Sequence, residues 1–144
     1  MDIEELFKAW DVDCKIDDKN ITSAAVDTAT LHAKYMRLYT TANLKLKKMR
    51  GDHKLLVRAK TEWYKGEMAR EDMEKWGWQP NPLRILKTDV NSYVEGDPDV
   101  IRKTLQIGVQ EEIVGFLESC LHSINRRSFL IKNIVDWNRF QAGQ

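Results

Sequence analysis

The chain has 144 residues, 42% apolar and 31% charged, with a formal net charge of +1. That length predicts one domain rather than two, and no apolar run approaches the roughly 18–20 residues that span a membrane. The opening Met1-Asp2-Ile3-Glu4-Glu5 is acidic where a secretory leader is basic. Cys14 and Cys120 are too few for a zinc site, and both are expected as thiols of a reducing cytoplasm, Cys120 on an apolar stripe.

Residues 1–19 predict a short amphipathic helix over 2–10, with Ile3, Leu6, Phe7 and Trp10 on one side, and then an acidic linker from Asp11 to Asp18. Residues 1–33 carry a net charge of −5. Two roles fit: a cover for a basic surface or a partner, or a packed anchor at a frayed end.

Residues 20–65 contain no proline, and their apolar and small side chains recur at alternating steps of four and three: Ile21, Ala25, Thr28, His32, Tyr35, Tyr39, Ala42, Leu46, Met49, His53, Leu56, Lys60, Trp63. A period near 3.5 predicts one helix that packs along its whole length. Asp17, Asp18 and Asn20 supply cap candidates and negative charge at its start. Gly51 is a weak point that costs about 1 kcal/mol relative to alanine, enough for a bend. The second half is strongly basic: residues 34–65 sum to +8, so the remainder of the chain sums to −7. Lys45, Lys47, Lys48, Arg50, Lys54, Arg58, Lys60 and Lys65 stand beside Trp63 and Tyr64, with few acidic residues at i+4 to pair them. Point charges beside aromatic rings are what phosphate binding and base stacking require. The bland reading is a solvated helix face.

Residues 66–97 predict an irregular excursion, because Pro80 and Pro82 interrupt regular structure around Trp76 and Trp78. Order restarts at Asp97-Pro98, a cap followed by a residue suited to the first helical position. Residues 98–125 then predict a partner helix carrying Ile101, Leu105, Val109, Ile113, Phe116, Leu117, Cys120 and Ile124. A further helix is expected over 126–144. Its Phe129, Leu130, Ile131, Ile134, Val135, Trp137 and Phe140 cover more than half the wheel, which points to a neighbouring subunit or to the core of a monomeric bundle. The fold class is all-α, a helical hairpin with a C-terminal oligomerisation helix in a single domain over 1–144. No phosphate loop, metal-ligand spacing or nucleophile constellation is present in the sequence, so neither an enzyme, a metal nor a cofactor is expected.

Two segments resemble a known family. Phe129-Leu-Ile-Lys-Asn-Ile-Val-Asp-Trp-Asn-Arg-Phe-Gln-Ala-Gly143 is similar to the C-terminus of the UvsY recombination mediators of T-even-like bacteriophages, and Val57-Arg-Ala-Lys-Thr-Glu-Trp-Tyr-Lys-Gly66 to that family's single-strand-binding segment. Length and element order also match. Arg and Lys are exchanged at 58 and 60, and residues 66–100 do not match. The resemblance implies a homo-oligomeric ring of roughly six or seven subunits. It also implies binding to single-stranded DNA and displacement of single-strand-binding protein. The protein would thereby load a RecA-like recombinase of the UvsX type, in the cytoplasm of an infected bacterium. The reading from a different class is a coiled-coil scaffold that binds only proteins.

Overall fold

A computed structural model describes residues 1–143, and every long element among them is helical: α1 (Ile3–Asp13), α2 (Ile21–Lys65), α3 (Arg70–Trp76), α4 (Val90–Glu95) and α5 (Pro98–Gln141). A 3-10 turn, Lys87–Asp89, leads into α4. The chain divides into two compact units, Met1–Asn43 with Glu112–Gln144, and Leu44–Glu111.

In the first unit α1 is an anchor. Asp2 and Glu5 close a capping box: the Glu5 backbone N–H donates to Asp2 Oδ1 at 2.8 Å, and the Asp2 N–H donates to Glu5 Oε2 at 2.9 Å. Leu6 is buried with Tyr35, Ala42, Ile113, Leu117, Cys120 and Ile124. Phe7 meets the edge of Phe116 at 4.9 Å, and Trp10 that of Tyr35 at 5.1 Å. The helix runs three residues past the expected stop at Trp10. Its last turn is held from outside: Asp13 accepts from the Tyr35 hydroxyl at 2.9 Å and from Lys34 Nζ at 2.6 Å. Tyr35 is wholly buried, so this bond satisfies a hydroxyl that would otherwise be stranded.

The long helix keeps its expected bounds to within a residue and passes Gly51 without a break. Most of the proposed stripe faces inward, although Ala25 and His32 are exposed. The helix expected to begin near 126 is instead the second half of α5. Arg127 is buried and continues the apolar row across the expected boundary. The buried row Ile113, Leu117, Cys120, Ile124, Arg127, Ile131 advances by alternating fours and threes. The Arg127 guanidinium is buried and donates to the carbonyls of Asp13 (3.5 Å) and Lys15 (3.3 Å). Burial also pushes the Cys120 thiol up to about 11, fitting an inert core residue.

In the second unit Ile101, Leu105 and Val109 are exposed, against expectation. Three successive steps of four each drift about 40° around a helix, so Ile101 stands about 120° from Ile113. Val100 and Gln110 are the buried residues of that segment instead. The 66–97 segment is built rather than loose. Gly66 (φ 74°) and Gly77 (φ 73°) end α2 and α3 in the left-handed conformation. In each case the glycine N–H and the next N–H return to the helix, Gly66 to Trp63 O and Glu67 to Glu62 O, Gly77 to Glu74 O and Trp78 to Met73 O. The Trp63 indole N–H donates to Gln79 O at 2.8 Å, tying the proline-rich stretch to the end of α2. Val90, Val94 and Val100 form a small core beside Leu56, Val57, Tyr64 and Ile85.

Leu117→Ala, in the middle of the first unit's core, is expected to cost about 2–5 kcal/mol in urea unfolding. Leu105→Ala, on the exposed side of α5, is expected to cost less than about 0.5 kcal/mol.

Candidate nucleic-acid interface

The basic residues of α2 do not form one patch. Lys47, Arg50, Lys54, Arg58 and Lys65 are all exposed, and helical geometry places them within an arc of about 80°, along about 27 Å of the helix. Lys45 and Lys48 are exposed outside that arc. The row's acidic neighbours hold it weakly. Arg50 Nη2 lies 3.1 Å from Glu111 Oε1, and Arg58 Nε lies 3.5 Å from Glu62 Oε1. The Arg58 side chain is 80% exposed. Such solvated pairs contribute at most ~1 kcal/mol, so a phosphate can replace the carboxylate with little loss.

Lys60 belongs to a different environment. Lys60, expected among the phosphate-binding cations, has a side chain only 7% exposed. Nζ lies 3.2 Å from Asp97 Oδ2 and 3.0 Å from Asp99 Oδ2. It also sits 4.1 Å from the ring centre of Trp78 and 5.4 Å from that of Trp63. Asp97 caps α5 as well: its Oδ1 accepts from the Asp99 N–H at 2.9 Å and the Val100 N–H at 3.3 Å. Its Oδ2 accepts the Tyr64 hydroxyl at 2.7 Å. Burial alone raises the Asp97 carboxyl. The hydrogen bonds from Tyr64, the Val100 backbone and Lys60 outweigh it, and the group titrates below its ordinary value. Burial, together with the bond to Asp97, pushes the Tyr64 phenol above its usual range.

The expected stacking residues are therefore committed. Trp63 and Tyr64 are half-buried, edge to face with each other at 4.9 Å, and both polar ends are bonded within the unit. The sequence marks Asp97 as a cap, and its one hint of the pairing with Lys60 is a lysine on the packing stripe. The two tryptophans of the excursion, expected to be either pinned down or offered to a ligand, stack on each other, Trp76 on Trp78 at 4.9 Å and 21°.

The expected oligomerisation residues lie in the first unit and also separate. Ile131 is buried within the subunit, and Ile134 and Val135 are half-buried. Phe129 (69%), Leu130, Trp137 and Phe140 (72%) are exposed, with the Trp137 and Phe140 rings stacked at 5.7 Å. Four large apolar side chains exposed on one helix segment call for a cover. Among the described residues, no helix is long and apolar enough to cross a membrane.

Lys60→Met leaves the buried Asp97 carboxylate without its cation, while Asp99 keeps only Arg102, and is expected to cost about 3 kcal/mol. Arg58→Ala is expected to change stability by less than ~0.5 kcal/mol. Thermal unfolding at pH 7 separates the two. Because the folded Asp97 titrates below its unfolded value, its stabilisation is present above about pH 4 and is lost as pH falls through the folded value. Asp97→Asn should lower the melting temperature at pH 7 and flatten its acid decline.

Comparison with known proteins gives this geometry a context. The family described as "Recombination, repair and ssDNA binding protein UvsY" matches residues 9–144. The recombination protein uvsY of Enterobacteria phage T4 is 22% identical over 144 residues, covering 100% of both chains. Two crystal structures of the bacteriophage T4 recombination mediator protein UvsY share the fold. One gives a TM-score of 0.84 at 20% identity, over 99% of this chain and 98% of that one. The other gives 0.83 at 19% identity, over 97% and 99%. With nearly its whole length matched, the chain belongs to the UvsY family.

Proposed function

We propose that this protein is a recombination mediator that holds single-stranded DNA along α2 and assembles as a homo-oligomer. The observation that carries the reading is the row Lys47, Arg50, Lys54, Arg58 and Lys65. It presents five exposed cations to one side of a helix, with only weak acidic competition. Lys45 and Lys48 widen its field. A row of point charges without base-reading groups neutralises phosphates and ignores sequence. Lys60 contributes through the fold rather than by contact, since its charge is already taken by two carboxylates.

The second part of the reading is assembly. Phe129, Leu130, Trp137 and Phe140 are the surface that a second copy covers, and a head-to-tail repeat of that contact closes a ring. Repetition multiplies a weak row into many tethered ones, so avidity exceeds the affinity of any single row. A strand held this way is displaced from single-strand-binding protein and presented to a RecA-like recombinase of the UvsX type, in the cytoplasm of the infected bacterium. The protein does no covalent chemistry in this reading. A scaffold that binds only proteins is the outcome if no oligonucleotide binds.

Log affinity for an unstructured oligonucleotide is expected to fall with log salt by about 0.7 for each phosphate neutralised. Lys54→Ala with Arg58→Ala should reduce that slope by about 1.4. A flat salt response of the unaltered protein would sink the phosphate-dominated reading.

Trp137→Asp with Phe140→Asp should reduce the mass in solution to monomers or small species while leaving thermal unfolding of the subunit cooperative. Retention of the parent mass would remove this surface as the assembly contact.

A further inference from the structure

The single-strand reading leaves the bases without a platform, because Trp63 and Tyr64 are engaged inside the second unit. The same unit offers another. Trp78 is backed on one side by the edge of Trp63, at 6.2 Å and 64°, and by the Lys60 ammonium. Trp76 stacks on Trp78 as the outer ring and remains 42% exposed. Its position follows from the left-handed Gly77, which turns the chain so that residues 76 and 78 meet face to face.

Beside the two rings lies an open cleft of about 260 Å³, with Leu56 from α2 and Arg102, Lys103 and Gln106 from the first turns of α5. It is smaller than the roughly 300–1,000 Å³ of a cofactor pocket, and suited to one planar ring. Asp99 also lines it, but that carboxylate is already shared between Lys60 Nζ at 3.0 Å and Arg102 Nη1 at 3.1 Å. Lys103 brings a further positive charge. An exposed indole beside two cations matches what a single strand offers: a base face that stacks whatever its identity, and a phosphate next to it.

We propose that this cleft takes one unstacked base of single-stranded DNA on Trp76, with a flanking phosphate held by Lys103 and Arg102. The proposal rests on the single-strand reading but uses a different site. Leu56 points about 170° away from the centre of the basic row. The cleft is thus a second contact rather than an extension of the row.

The test compares a fluorescently labelled oligothymidylate with an abasic strand of the same length and charge, at one salt concentration. The unaltered protein should bind the base-bearing strand roughly tenfold more tightly, the size of one stacking contact. Trp76→Ala should bind the two strands alike, and Trp76→Phe should restore part of the preference. Lys103→Ala should weaken both strands equally and lower the salt slope by about 0.7. Thermal unfolding verifies that each variant is folded, and Leu83→Ala, an exposed apolar change in the same excursion, serves as the control that keeps the preference. If Trp76→Ala retains the full preference, or the unaltered protein shows none while still binding, the cleft is not a base site and the basic row stands alone. If the unaltered protein binds neither strand, the single-strand reading falls, and this proposal with it.

Discussion

The second unit depends on one charge, the Lys60 ammonium, held between the carboxylates of Asp97 and Asp99. An ammonium on the packing side of a helix is expensive to bury unless it is paired, and the pairing here serves two purposes. Asp97 closes the start of α5 with one oxygen and receives Lys60 and Tyr64 with the other. Starting α5 and fastening it to the end of α2 are therefore a single event. The indoles of Trp63 and Trp78 cover the ammonium, and the proline-rich stretch is hung from Trp63 through Gln79. Without that charge the two tryptophans lose their shared cation and keep the bond to Gln79 and the ring contacts with Trp76 and each other.

This division of labour among the basic residues matters for the DNA reading. Residues 58 and 60 are two apart on a helix, so their side chains point in nearly opposite directions. One is among the most exposed side chains of α2, and the other among the least. The exchange of Arg and Lys between these positions, relative to the family pattern, is thus not a simple permutation of charge. A planar guanidinium and a compact ammonium would fit the two-carboxylate seat differently.

Much of the architecture was legible in the sequence because it rests on period. The bounds of α2, the cap at Asp97-Pro98 and the apolar side of α1 with Leu6 and Trp10 all follow from spacing and short-range chemistry, whereas the choice between anchor and cover for α1 is made only by the structure. Three readings failed for identifiable reasons. Counting Ile101, Leu105 and Val109 in steps of four hid the drift that carries them to the surface. The boundary expected between helices at 125–126 does not exist, and the buried Arg127 that continues the helix there is recognised only through the backbone carbonyls that it meets, more than a hundred residues away in sequence. The 66–97 segment looked irregular because its order comes from two left-handed glycines and from contacts with α2, neither of which has a periodic signature. The candidate DNA row was legible as a charge imbalance, but its geometry was not: the +8 of the sequence combines exposed cations with one, Lys60, that is buried.

The stacked indoles of Trp76 and Trp78 have an optical consequence. Two such rings in face-to-face contact couple their electronic transitions, and the coupling appears in circular dichroism as a paired positive and negative band in the far ultraviolet. That couplet overlies the helical signal of a protein built almost entirely from helices. Loss of either ring removes the couplet, a spectral change that is separate from any change in helix content. The same couplet is a reporter confined to one corner of the second unit, sensitive to anything that slides between the rings or shifts one against the other.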